Sequence, residues 1–203
     1  MRARGHQVVA PDLPCDDDSA GLAEYADAVV DAVGDRSGVV LVAHSFAGFV
    51  APLVCDRLAV DMLILVAAMI PSPGEPPGDW WDNTRHSEAQ RAQAERDGRT
   101  ADEDMADTFL HDVPPDLTTE ALKRQRDQSG TPFESPWPLA AWPKVPTRSC
   151  CAAMIVSSHR TSCVDSSENV WISPPDEMEG GHYVAISRPI ELADRMEAYG
   201  STR

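Results

Sequence analysis

Residues 43–48, Ala-His-Ser-Phe-Ala-Gly, follow directly on the apolar run 39–42, and they constrain the fold more than any other stretch. A strand that turns sharply into a helix presents the turn residue above the sheet, and Ser45 occupies that place. The turn needs small residues two positions before and after the serine, which here are Ala43 and Ala47. The alternative is that Ser45 is an ordinary helix N-cap. The pattern predicts a strand, a turn and a helix, with Ser45 as a candidate nucleophile.

Charge and composition exclude several classes of protein. The chain has 33 acidic against 17 basic residues, a formal net charge of −16, whereas a nucleic-acid partner requires a basic surface. There is no run of about 18 apolar residues and no apolar signal core, which predicts a cytoplasmic protein without a membrane partner. Five cysteines without zinc-like spacing predict neither a disulfide framework nor a metal site.

Strands alternate with helices in both terminal parts of the chain. We predict strands at residues 7–10, 39–43 and 62–67, and helices at residues 22–33, 46–58 and 189–199. Short apolar strands that alternate with helices are typical of a parallel sheet with both faces covered. The predicted fold class is therefore α/β, a mostly parallel sheet flanked by helices.

Residues 71–143 interrupt this alternation. The segment opens with prolines and glycines, and it contains polar, helix-prone stretches at residues 86–108 and 117–128. We interpret it as an inserted helical cap on a core formed by residues 1–70 and 144–203.

The predicted cap contains the other aromatic and titratable candidates. Trp80 and Trp81 either line a substrate cleft under the cap or pack the cap onto the core. His86 and His111 are expected at the surface or within the cap, away from catalysis.

A Gly-Gly-His sequence at residues 180–182 precedes the last predicted helix. A lone histidine is usually structural, but an imidazole on such a loop is placed to reach Ser45. The chain order, with Ser45 before His182, also fits a nucleophile that is followed by its general base.

With these segments the chain resembles the α/β-hydrolase superfamily, in the branch of plant methylesterases, hydroxynitrile lyases and small bacterial esterase-like proteins. The matching segments are residues 4–14, 43–48 and 180–182 with the final helix. The resemblance implies that Ser45 is the nucleophile and His182 the general base. It also implies that the backbone N–H of Phe46 donates to the oxyanion.

The resemblance further implies what the site binds. The expected substrate is a small ester or similar carbonyl compound, cleaved through an acyl-enzyme without a cofactor. The predicted substrate-binding residues are His44, Trp80 and Trp81. A hydroxynitrile-type lyase on the same fold, and a binding or defective protein without turnover, are the alternatives.

The chain departs from the family pattern in two places. It starts after the strand and loop that would supply a second oxyanion donor, so we expect an exposed sheet edge and reduced activity. The family's acid is also missing, since residues 149–159 contain no carboxylate and lack strand texture. Read one base earlier, their codons permit Asp-Asp-Arg-Leu-Phe-Pro, which matches the family's acid loop. We hypothesise that roughly residues 149–173 are translated out of frame, the alternative being a divergent loop whose codons happen to permit this reading. Resequencing of the coding DNA tests the hypothesis.

Overall fold

Four parallel strands form the sheet of the computed structural model, which describes residues 1–96, 98, 109–152 and 176–201. Their order across the sheet is their order in the chain, and each neighbouring pair is parallel. The strands are β1 Val39–His44, β2 Val60–Val66, β3 Thr147–Ala152 and β4 Asp176–Met178. The predicted α/β class and the strands predicted at residues 39–43 and 62–67 are confirmed.

Helices lie before, between and after these strands. They are α1 Leu22–Val33, α2 Ala47–Cys55, α3 Trp80–Asn83, α4 His86–Arg96, α5 Pro115–Lys123, α6 Val184–Ser187 and α7 Pro189–Ser201. No helix in the described part of the chain has the length and apolar character needed to cross a bilayer.

Two predicted helices end earlier than expected. α2 ends at Cys55 instead of residue 58, and α5 ends at Lys123 instead of residue 128. At the end of the second stretch, the Gln128 side chain donates to the Tyr25 hydroxyl, 2.9 Å away. This long-range hydrogen bond is formed by a residue outside the helix, although the local sequence favours a helix up to residue 128.

Side chains of β2 alternate between the two faces of the sheet, as the period of a strand requires. Leu63 and Leu65 belong to a core cluster that α1 and α2 complete. Met62, Ile64 and Val66 belong to a second cluster, which α7 completes. Both faces of β2 are therefore buried, which explains why its sequence is apolar throughout.

Tryptophans tie the 71–143 segment to the sheet and its helices. The indole N–H of Trp80 donates to the Ile70 carbonyl at 3.2 Å, and that of Trp137 donates to the Phe49 carbonyl at 3.0 Å. Both rings are 2% exposed. Because each buried N–H has a partner, these tryptophans serve packing without leaving a polar group unsatisfied.

The strand predicted at residues 7–10 is wrong. These residues are irregular, and Val9 is 47% exposed. A strand needs a neighbour to pair its backbone groups, and β1 is the edge of the described sheet. The exposed side chains of Val40 and Val42 agree with an uncovered surface at this edge.

For residues 149–152, which form the end of β3, the expectation that strand character is missing is also wrong. Ser149 and Cys150 pair with Leu65 and Val66 of β2, and both are almost fully buried. Their small side chains fit a central strand, although they lack the β-branched residues that normally indicate one. Most of the stretch proposed to be out of frame, residues 153–173, lies outside the described residues.

Candidate active site

Ser45 lies on the turn between β1 and α2, with a φ of +54°. This left-handed conformation costs an L-residue roughly 1–2 kcal/mol. The N–H of Ser45 donates to the Val66 carbonyl at 3.3 Å, and its carbonyl accepts from the Met69 N–H at 2.9 Å. The N-cap of α2 is Phe46 and not Ser45. These backbone hydrogen bonds, together with one from the Gly48 N–H to the Ser45 carbonyl at 3.1 Å, hold the serine in the conformation of a sharp strand-to-helix turn.

Gly48 lets α2 approach the backbone that follows β2. A Cβ atom at this position would overlap the carbonyl oxygen of Met69. On the strand side of the turn, Ala43 is 1% exposed. Close backbone packing therefore requires glycine at position 48, and burial favours a small side chain at position 43.

Phe46 directly follows the serine and begins a row of aromatic rings. Its N–H lies at the start of α2, where the helix dipole favours negative charge. The ring centroid of Phe46 is 4.7 Å from that of Phe133, which is 5.8 Å from that of Trp81. We call Phe46, Phe133 and Trp81 the aromatic row. All three are partly buried, whereas Trp80 is buried behind Trp81.

The loop that carries His182 packs against the residue just before the serine. The Nε2 atom of His44 lies 2.9 Å from the His182 carbonyl oxygen, and the two ring centroids are 4.6 Å apart. Burial lowers the pKa of His44, although the hydrogen bond to His182 opposes this shift. Since a carbonyl only accepts, the neutral His44 ring carries its hydrogen on Nε2. The structure thus places the predicted nucleophile and the predicted base at one end of the sheet.

A residue of the 71–143 segment, Asp112, also contacts the His182 loop, and the sequence did not predict this contact. The Oδ2 atom of Asp112 accepts a hydrogen bond from the Gly181 N–H at 2.7 Å. The two residues are 69 positions apart, and no motif links them. His111, expected in the cap or at the surface, lies in the same place, against Gly181.

The three predicted substrate-binding residues lie in different parts of the candidate site. Trp81 reaches the serine region through the aromatic row, while His44 contacts the His182 loop. Trp80 is a buried packing residue in this geometry, which is the second of the two roles left open for it. Within the described ranges, no three His, Cys, Asp or Glu side chains converge as a metal site.

Comparison with protein families gives one match that spans nearly all of the chain. Residues 1–195 match the model of the alpha/beta hydrolase family. No curated protein matches the chain.

Solved structures share the fold at low sequence identity. A pyrethroid hydrolase from Sphingobium faniae JZ-2 is 18% identical with a TM-score of 0.72, over 99% of this chain and 88% of that one. Polyneuridine aldehyde esterase is 16% identical with a TM-score of 0.71, over 98% and 90%. An extracellular alpha/beta-hydrolase from a Paenibacillus species is 16% identical with a TM-score of 0.69, over 97% and 88%. At these identities the likeness concerns the fold.

Proposed function

This chain belongs to the alpha/beta hydrolase family, and we propose that it is a serine hydrolase acting on an ester or similar small carbonyl compound. The observation that carries the proposal is the strained Ser45 turn, with the His182 loop packed on the adjacent His44. A serine on such a turn and a histidine on a neighbouring loop are the two residues that acyl transfer requires.

In the proposed reaction, the Ser45 Oγ attacks the carbonyl carbon while the His182 imidazole takes the hydroxyl proton. The N–H of Phe46, at the positive end of α2, donates to the oxyanion of the tetrahedral intermediate. When the intermediate collapses, the alcohol leaves with the proton from His182, and the acyl group remains on Ser45. Water then attacks this ester and gives a proton to His182, and collapse of the second tetrahedral intermediate releases the carboxylic acid while His182 returns the proton to the Ser45 oxygen.

A carboxylate normally orients the histidine and stabilises its charged form. The family's position for it falls within residues 149–173, most of which are outside the described residues. The hypothesis that this stretch is out of frame, with Asp-Asp-Arg-Leu-Phe-Pro in the other frame, therefore stays a prediction. If the acid is absent, turnover falls by about 10⁴-fold relative to a complete triad.

The aromatic row supports a substrate with an apolar group. Phe46, Phe133 and Trp81 are partly buried rings that extend from the residue after the serine. Such a surface removes an acyl chain or an aryl alcohol from water. We propose that Trp81 contacts the substrate and that Trp80 supports Trp81 from behind. The role of His44 as a substrate-binding residue also remains a proposal.

Replacement of the serine tests this function. Ser45→Ala should lower kcat/KM for a short-chain p-nitrophenyl ester by at least about 10³-fold, because no other hydroxyl replaces the nucleophile. Ser37→Ala, a change at an exposed loop serine, is the matched control and should leave hydrolysis unchanged. A fluorophosphonate probe should label the peptide that contains Ser45, as detected by mass spectrometry. Full hydrolysis by Ser45→Ala would contradict the proposal, and a lyase on the same fold would form no acyl-enzyme.

A further inference from the structure

We propose that Asp112 is a positioning residue for the catalytic base, because its carboxylate holds the glycine loop that carries His182. This inference rests on the proposed function, since it assumes that His182 is the base. It adds to that function a residue from the 71–143 segment, which lies far from the serine and the histidine in sequence.

The first observation is the hydrogen bond between Asp112 and the loop. Asp112 Oδ2 accepts from the Gly181 N–H at 2.7 Å, in a partly buried setting. Hydrogen bonds to an ionised acceptor are about twice as strong as neutral ones. Because Gly181 directly precedes His182, this bond fixes the Gly180–Gly181 peptide, one residue before the base.

The second observation is the space that the two glycines leave for the carboxylate. A Cβ atom on Gly181 would lie 2.5 Å from Asp112 Oδ1 and 2.9 Å from His111 Cε1. A Cβ atom on Gly180 would lie 3.3 Å from Asp112 Oδ2. The φ of Gly180 is +131°, a backbone conformation that only glycine adopts without strain. The Gly-Gly pair thus forms a cradle around the Asp112 carboxylate, which explains why both residues lack side chains.

The third observation concerns the other carboxylate oxygen. Asp112 Oδ1 is buried and has no hydrogen-bond partner among the described residues, and the same holds for His111 Nδ1. Leaving a buried acceptor unsatisfied lowers the stability of the folded state, so this carboxylate is not placed for maximum stability. Uncompensated polar groups of this kind concentrate at functional positions, where geometry takes precedence over stability.

Asp112 and His44 hold the loop from two sides. His44 Nε2 donates to the His182 carbonyl, while Asp112 accepts from the Gly181 N–H. The backbone is therefore held at the Gly180–Gly181 peptide before His182 and at the carbonyl of His182 itself. Since His44 comes from the serine turn and Asp112 from the 71–143 segment, the base is positioned jointly by these two parts of the chain.

The test compares three variants with the wild type in hydrolysis of the p-nitrophenyl ester. Asp112→Ala should lower kcat by about 10²-fold and change KM less than about twofold, because a misplaced base slows chemistry more than binding. Asp112→Asn keeps an oxygen acceptor for the Gly181 N–H and should retain kcat within about threefold of the wild type. Asp116→Ala removes an exposed carboxylate in the first turn of α5, as a matched control, and should not change kcat.

Gly181→Ala tests the same contact from the loop side. It replaces Asp112→Ala as the test if that variant does not fold. Its methyl group displaces the carboxylate, so we expect a similar loss of kcat. Combined with Asp112→Ala, the two losses should not add, since both changes break one contact. Full additivity, or equal losses in Asp112→Asn and Asp112→Ala, would overturn the proposal.

Hydrogen exchange at the Gly181 amide gives a readout that does not depend on turnover. Asp112→Ala should speed this exchange, while Asp112→Asn and Asp116→Ala should leave it slow. Unchanged exchange with unchanged kcat in Asp112→Ala would overturn the assignment. If the wild type lacks Ser45-dependent turnover, the proposed function fails, and exchange alone then decides whether Asp112 holds the loop.

Discussion

The serine side and the histidine side of the proposed site are held by different means. Ser45 is fixed within one continuous stretch of chain, by backbone hydrogen bonds to Val66 and Met69. The His182 loop is fixed by side chains that are distant in sequence, His44 at 138 positions and Asp112 at 69 positions. One side is built by close backbone packing, and the other by two polar contacts.

This difference predicts how each side responds to mutation. Backbone packing around the Ser45 turn is part of the core, so changes there should act first on the free energy of unfolding. The His182 loop depends on polar contacts from His44 and Asp112, so changes there should act first on rate or on pH dependence. Three variants test this comparison, in order of decreasing effect.

Gly48→Ala should have the largest effect. The added methyl group overlaps the Met69 carbonyl oxygen, so α2 must move away from the sheet. Overpacking of this kind should lower the free energy of unfolding by about 3 kcal/mol or more, measured by urea denaturation. Gly200→Ala is the matched control, because a Cβ there meets nothing within 4 Å; it should raise stability by up to about 1 kcal/mol. Equal effects at the two glycines would disprove close packing at Gly48.

Ser45→Gly should be more stable than Ser45→Ala by about 1–2 kcal/mol, since glycine adopts the φ of +54° without strain. Thermal and urea unfolding of the two variants would measure the difference directly. At Ser37, whose φ is outside the left-handed region, glycine should be no more stable than alanine. If the Ser45 turn were not strained, the difference in stability between the glycine and alanine variants would be the same at Ser45 as at Ser37.

His44→Gln should have the smallest effect, on the pH dependence of stability. Burial lowers the pKa of His44 from its ordinary value of 6.5. Below that pH the unfolded chain binds a proton that the folded chain does not, so stability falls as the pH drops. Glutamine does not titrate, and its amide can still donate to the His182 carbonyl, so the variant should lose less stability on acidification.

The measurement is urea unfolding at several pH values between about 7.5 and 5.5. Burial also lowers the pKa of His86, so His44→Gln should remove only part of the pH dependence, and His86→Gln a further part. If the free energy of unfolding of His44→Gln depended on pH as steeply as that of the wild type, His44 would not be held neutral against the His182 loop.

The parts of the fold that the sequence predicted are those with a strong local pattern. Helix α1 follows the spacing of its apolar residues, and β1 and β2 follow short apolar runs between helices. Residues 7–10 are a similar short apolar run, but no strand in the described part of the chain pairs with them, and they do not form the predicted strand. Apolar texture therefore predicts a strand only where a neighbour is available to pair its backbone.

The sequence by itself determined the serine turn. The spacing of small residues around Ser45 predicted the sharp connection from β1 to α2, and the structure shows one of the reasons, since a Cβ atom at Gly48 would overlap the Met69 carbonyl oxygen. The tertiary structure alone decided what holds His182, since the partners His44 and Asp112 reach it from distant parts of the chain. Local sterics can be read from neighbouring residues, whereas a hydrogen bond between distant residues exists only once the intervening elements have packed.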